Sequence, residues 1–336
     1  MALAAWAALC FLIALAGTWL ARRYALRAAL LDHPGERRSH AVATPRGGGI
    51  AIVAAMLPVL VALCLRDAQA RALFAPVAAG LLLVAGIGWI DDHRPLPASL
   101  RLAVHAVAAA LLAWALHAAG AETMVAAGGF VLALVLVNVW NFMDGIDGLA
   151  ASQALVAALA YALFAGSGAG GAVAWLGVGL AAACAGFLPF NLPRARIFLG
   201  DVGSGALGYL LAVLAALSLQ AVDRSQAPLL LLPLVAFAVD ASLTLARRML
   251  RRERWWEPHV QHAYQSLARR RGHGPVTAGF LGWTFVAAAF MLCLEQAPAV
   301  VILCATAMCL ASACGAWWLL QAGERMAGRS TRGSDA

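Results

Sequence analysis

The sequence predicts an all-α polytopic membrane protein with about eleven transmembrane helices, ten being the lower count. Three observations carry that expectation. Of 336 residues, 63% are hydrophobic and only 12% are charged, whereas a soluble domain is nearer half apolar and about a quarter charged. The apolar residues fall in long blocks between polar breaks, and roughly 17–25 such residues cross the hydrocarbon core of a bilayer. The charges that remain divide unevenly between alternate connections.

In order along the chain, the spans are expected near 2–20, 47–65, 74–90, 100–119, 124–140, 149–166, 172–190, 205–222, 228–246, 276–294 and 298–320. No basic residue precedes the first apolar block, and Arg22, Arg23 and Arg27 follow it. That order suits a retained first helix better than a removed signal peptide. One set of connections is short and bland: 66–73, 120–123, 167–171, 223–227 and 295–297. The other is longer and polar: 21–46, 91–99, 141–148, 191–204, 247–275 and the stretch after 320.

All 24 basic residues are arginines. With Arg101 assigned to the polar side, that side holds 21 of them, and the bland side only Arg66, Arg71 and Arg224. The positive-inside rule then places the polar connections in the cytoplasm. Eleven crossings leave the N-terminus in the periplasm and the C-terminus in the cytoplasm. The net charge of +8 is explained by this topology, with the anionic headgroups of membrane lipids as partners and no nucleic acid needed. Residues 1–320 read as one transmembrane domain and 321–336 as a basic cytoplasmic tail. The seven cysteines lie mostly inside apolar blocks without metal-type spacing, as small buried hydrophobes do.

Five polar constellations fall on the cytoplasmic side. The first runs from Asp32 through His40 to Thr44-Pro45-Arg46-Gly47-Gly48-Gly49. Three glycines at a helix start can offer N–H groups to a phosphate, or can simply form a hinge. The second is Asp91-Asp92-His93-Arg94. Two carboxylates at a helix C-terminus oppose the macrodipole, which favours a metal or a proton there over a solvated turn. In the third, Asn138, Asn141, Asp144 and Asp147 recur every three residues and would share one side of a near-helical segment. Asp147 alone could be an N-cap. In the fourth, Asp201 stands between glycines before a helix, where it could hold a hard cation or cap the helix. The fifth begins with Asp240 inside a span, a functional candidate by default. It continues through Arg247, Arg248, Arg251, Arg252 and Arg254 to Trp255, Trp256, His259 and His262. The tryptophans suit an interfacial belt, and the histidines could face one anion.

Carboxylates, amides, arginines and histidines on one membrane face suit Mg²⁺-dependent handling of a phosphorylated substrate. No Walker-type glycine-lysine loop is present, which argues against ATP hydrolysis. A transporter or flippase of lipid-linked sugars is the alternative class. It would place polar sites near the bilayer midplane, which only Arg101, His105 and Asp240 approach here. A CDP-alcohol phosphotransferase would need an aspartate in the 148–166 stretch, and there is none.

The Thr44-Pro45-Arg46-Gly-Gly-Gly segment, Asp91-Asp92, Asn138-x-x-Asn141-x-x-Asp144-Gly-x-Asp147-Gly, Phe198-Leu199-Gly200-Asp201-x-Gly-Ser and Asp240 stand in one order along the chain. In that order they resemble the polyprenyl-phosphate N-acetylhexosamine-1-phosphate transferases, the MraY/WecA superfamily, from about Asp32 to Gln265. His259-Val-Gln-His262-Ala-Tyr-Gln looks like the WbpL-type branch that starts O-antigen. The lysine often found in the family's first loop is absent, and Arg46 or His40 stands nearest to its place.

The resemblance implies a bacterial inner-membrane enzyme with a cytoplasmic active site, and it leaves room for a homodimer. Its substrates would be a UDP-N-acetyl-sugar and undecaprenyl phosphate, and its products undecaprenyl-diphosphate-sugar and UMP. The cofactor would be Mg²⁺, with Mn²⁺ as a substitute. It further implies Asp201 as the main metal ligand and Asp92 as the next. Asp91 would orient or deprotonate the lipid phosphate. His259 and His262 would hold the diphosphate, and Arg46, Asn138, Asn141, Asp144, Asp147 and Asp240 would bind substrate.

Overall fold

A computed structural model describes residues 2–32, 43–165, 171–254, 257 and 259–332, with 323–332 as backbone only. The helices are α1 (Ala2–Arg27), α2 (Ile50–Cys64), α3 (Ala68–His93), α4 (Ala98–Ala118), α5 (Thr123–Met143), α6 (Leu149–Phe164), α7 (Gly171–Asn191) and α8 (Asp201–Ala221). A 3-10 segment (Ala227–Leu234) leads into α9 (Val235–Leu250), followed by α10 (Ala263–Arg271), α11 (His273–Cys293) and α12 (Ala299–Arg332). A two-residue antiparallel pairing joins β1 (Leu31–Asp32) to β2 (Thr44–Pro45).

Each of the eleven expected spans coincides with one helix, the ninth combining the 3-10 segment and α9. Among the described residues, nine helical segments are long and apolar enough to cross a membrane, while α2 and α6 are shorter apolar helices. The chain is an all-α multi-pass membrane protein.

The architecture turns on α8. Every residue from Val202 to Ser218 is buried, so α8 is surrounded by other helices rather than by lipid. Small residues allow its neighbours to come close, as is usual between membrane helices. At Gly208 an added Cβ would lie 2.2 Å from the Leu136 carbonyl oxygen on α5. At Gly203 it would lie 2.6 Å from the Gly49 Cα. Gly208→Ala is therefore expected to destabilise the fold by about 1–3 kcal/mol through overpacking against backbone. A lower melting temperature in detergent would register the loss, and an unchanged one would contradict the close α5–α8 approach.

The glycines before α2 behave differently from a phosphate cradle. The Gly48 and Gly49 N–H groups donate to the Phe198 and Leu199 carbonyls at 2.9 and 2.8 Å. Those donors are engaged within the protein, so the glycines serve contact between α2 and α8. Two helix ends also differ from expectation. α3 continues through Asp92 to His93, and α8 begins at Asp201 rather than near 205. The early start of α8 comes from the Asp92 side chain, described next.

Candidate active site

The C-terminal ends of α3 and α5 and the N-terminal ends of α4 and α8 meet on one side of the bundle. Asp92, buried to 2% exposure, accepts hydrogen bonds from the Asp201 and Val202 N–H groups at 3.1 and 3.2 Å. Its carboxylate thus caps α8, satisfying two otherwise orphaned donors at the positive end of that helix. Gly200 must be glycine for this. Its φ is +76°, and a Cβ would lie 2.5 Å from Asp92 Oδ2. Arg46 closes over the same group, with Nε 4.0 Å from Asp92 Oδ1 and Nη2 donating to the Asp92 carbonyl. Asp92, expected as the second metal ligand, has each oxygen accepting one backbone N–H.

Asp91 and Asp201 face each other across one cation. Arg101 Nη1 donates to Asp91 Oδ2 at 2.9 Å and to Asp201 Oδ2 at 2.7 Å. The other Asp91 oxygen accepts from the Leu96 N–H at 2.6 Å. Asp201 keeps about a third of its side chain exposed. Asp201 is the more open of the two, 31% exposed against 13% for Asp91, and both are drawn together by Arg101, which the sequence had not named among the site residues.

Asp144, at the C-cap of α5, completes the acidic group. Burial pushes its carboxyl up to about 8, and the charges of Asp201 and Asp92 add to the rise. Its folded value therefore lies above the ordinary 3.8. Between those pH values the folded chain holds a proton that the unfolded chain releases, so this stability is lost as pH rises from about 4 towards 8. Asp144→Asn should melt at a higher temperature than the parent at pH 8 without added metal, and near the parent's at pH 4. An equal difference at both pH values would contradict the shift.

The remaining motif residues divide between scaffold and site. Asn138 Nδ2 donates to the Leu134 carbonyl one turn back, so its amide nitrogen is engaged locally. Asn141 Nδ2 reaches Ser204 Oγ at 3.1 Å and ties α5 to the first turn of α8. Asp147 lies 3.2 Å from His273 Nδ1, and its carbonyl accepts from Thr277 Oγ1 at 2.8 Å. Asn191 is a hub that links two motif loops. Its Oδ1 accepts from the Gly148 N–H and its Nδ2 donates to the Ile197 carbonyl, at 2.8 and 2.9 Å. Gly145 faces Tyr264, whose hydroxyl would be 2.2 Å from an added Cβ.

The histidine motif reaches this cluster through Phe142. The His262 ring stacks between His259, with centroids 4.9 Å apart, and Phe142, at 6.1 Å. The Tyr264 hydroxyl donates to the Phe142 carbonyl at 3.0 Å. Burial lowers His259 to about 4, assisted by nearby His262 and Arg248. It is a neutral hydrogen-bonding ring at neutral pH rather than a cation. Asp240 stands behind the pair, both of its oxygens accepting N–H groups from the first residues of α10. His40, Trp255 and Trp256 lie outside the described residues. Among the described residues, no three His, Cys, Asp or Glu side chains already surround one metal position.

Known proteins share much of this sequence. Residues 74–219 match the family described as glycosyl transferase family 4. The chain is similar to the decaprenyl-phosphate N-acetylglucosaminephosphotransferase of Mycobacterium tuberculosis, 32% identical over 289 residues, or 73% of this chain and 70% of the relative. It is 26% identical over 293 residues to a probable undecaprenyl-phosphate N-acetylglucosaminyl 1-phosphate transferase of Bacillus subtilis, covering 82% and 80% of the two chains. A shorter stretch of 93 residues is 45% identical to the phospho-N-acetylmuramoyl-pentapeptide-transferase of Heliobacterium modesticaldum, covering 26% of this chain and 29% of that one. By the extent of these matches and the ordered motifs that converge on Asp91, Asp201 and Arg101, the chain belongs to the MraY/WecA superfamily of polyprenyl-phosphate sugar-phosphate transferases.

Proposed function

We propose that this chain transfers an N-acetyl-sugar 1-phosphate from a UDP-sugar to undecaprenyl phosphate, releasing UMP. The site would face the cytoplasm from a bacterial inner membrane, and the product would start an O-antigen or another cell-envelope polysaccharide. The observation that carries this reading is the pairing of Asp91 and Asp201 on a single Arg101 nitrogen, beside Asp144, at the ends of bilayer-length helices. The arginine asymmetry supports the cytoplasmic orientation, with a periplasmic N-terminus.

An oxygen of the lipid phosphate would attack the sugar-bearing phosphorus. The bond from that phosphorus to the oxygen bridging it to UMP would break, and UMP would leave with the bond's electrons. A phosphate monoester has its second pKa at about 6, so the attacking group is largely ionised and needs no strong base. Asp91, fixed by Leu96 and Arg101, would orient it.

The residues fit a hard divalent cation, Mg²⁺ or Mn²⁺, on the chemistry of the donors. Asp201 and Asp91 supply carboxylate oxygens that already converge on one positive group, and the charge of Asp201 reaches Asp144 nearby. Water and substrate oxygens would complete such a shell, as is usual for Mg²⁺. When bound, the ion would neutralise diphosphate charge. Asp92 would serve by holding α8 in place. Asn141, Asp144 and Asp147 would meet the nucleotide, Arg46 and neutral His259 would meet phosphate oxygens, and His262 would meet the bound substrate.

The test is purified protein in nanodiscs with undecaprenyl phosphate, Mg²⁺ and a panel of UDP-N-acetyl-sugars: GlcNAc, FucNAc and QuiNAc. UMP release should require the lipid phosphate, stop with EDTA and return with Mg²⁺ or Mn²⁺. Release without lipid phosphate would overturn the reaction. Movement of a lipid-linked sugar with no transfer would replace it with the flippase reading.

A further inference from the structure

Asp240 lies within Ala227–Leu250, a segment apolar and long enough to cross a membrane, with its side chain only 4% exposed. A carboxylate in that setting is costly unless its charge is matched locally. The match comes from α10. Oδ1 accepts the Ala263 N–H at 2.9 Å and Oδ2 accepts the Tyr264 N–H at 3.0 Å, so the carboxylate sits at the positive end of that helix. Thr244 Oγ1 donates to Oδ1 at 3.2 Å from one turn along α9. The fourth neighbour is the ring of His262, the N-cap residue of α10, with Nδ1 3.5 Å from Oδ1. That nitrogen is buried and has no hydrogen bond to satisfy it, to Asp240 or to any other group.

We infer that Asp240 is a positioning residue that acts through His262. Its carboxylate seats the start of α10 and faces the imidazole so that Nδ1 carries the proton. Nε2 is then left as an acceptor for a donor group on the bound substrate, with the ring held in the His259–His262–Phe142 stack. This rests on the transferase reading for what His262 contacts, and it replaces a direct substrate contact for Asp240. A carboxylate–imidazole pair of this kind fixes the tautomer and aim of the ring. It also accounts for an ionisable residue inside a span that is too far committed to backbone to hold a ligand itself.

The test combines kinetics with spectroscopy on the full chain in nanodiscs. Asp240→Asn should lower kcat/KM for the UDP-sugar by about 10–100-fold, the usual cost of removing a functional histidine's carboxylate partner. Combined with His262→Asn, it should be no worse than His262→Asn alone, because residues acting as a unit are non-additive. Long-range ¹H–¹⁵N spectra of histidine-labelled protein, with the His262 signals identified by their loss in His262→Asn, should show the Nδ1–H form in the parent and its loss in Asp240→Asn. If Asp240→Asn does not fold, Thr244→Val keeps the carboxylate and the cap. It should shift the same signals in the same direction with a smaller loss of rate. Additive losses, or His262 signals unmoved by both variants, would overturn the inference. The spectra need no turnover. A parent chain with no transfer activity would therefore sink the transferase reaction, while the imidazole signals still decided the Asp240–His262 contact.

Discussion

Asp201→Asn is expected to cut transfer by about 10²–10³-fold, the scale of losing one group that stabilises charge in a reacting site, without loss of fold. The separation of the two effects follows from geometry. The helix that Asp201 begins is held by its backbone N–H on Asp92, and the amide variant keeps that bond. What it loses is the negative charge that meets Arg101 at 2.7 Å and would meet the cation. Removing one of several like charges from the cluster should also leave the ligand-free protein at least as stable as the parent. Initial rates of UMP release and a melting curve on the same preparation check both halves. An active, folded Asp201→Asn would remove this carboxylate from the reaction. The corresponding change at Asp92 should behave differently, because an amide nitrogen there would face the N–H groups of α8, and stability should fall along with activity.

Arg101→Met is the second large expectation, at about 10²-fold in rate. Asp91 and Asp201 would keep their places on α3 and α8 but lose the cation they share, so their mutual repulsion would go unanswered in a half-buried site. Arg101→Lys should recover most of that loss. Both hydrogen bonds leave the same nitrogen, Nη1, so the planar fork that usually separates arginine from lysine is not what this site uses. A lysine variant as inactive as the methionine variant would show that the guanidinium shape matters beyond its charge.

Much of the architecture was legible in the sequence because a bilayer imposes one dominant rule, and blocks such as 205–222 or 298–320 satisfy it without any need to know their neighbours. The α10 helix was not. Its nine residues carry no apolar run, and it exists because Asp240, 23 residues earlier, caps it. The acidic motifs were legible as a group but not by role. Nothing in Asp91-Asp92 tells which of the pair turns inward to accept the N–H groups of Asp201 and Val202, more than a hundred residues away. Arg101 was read as one of many positive-inside arginines. The usable signal was its place at a helix start, nine residues after Asp92, on the same face as the acids. Asn191 was visible beside Phe190 and Pro193 but had no partner in view until the Gly148 and Ile197 contacts fixed it. The glycines at 47–49 were read for what their N–H groups could hold, when the decisive quantity was the space that a Cβ would fill against Gly203.

The central claim is that a phosphorus–oxygen bond, not a sugar–oxygen bond, is exchanged beside Asp91, Asp201 and Arg101. Labelling the β-phosphorus of the UDP-sugar with ³²P tests it directly. The label is expected to enter the lipid product together with the sugar, with UMP appearing unlabelled in equal amount. Label remaining in UDP while the sugar reaches the lipid would contradict it.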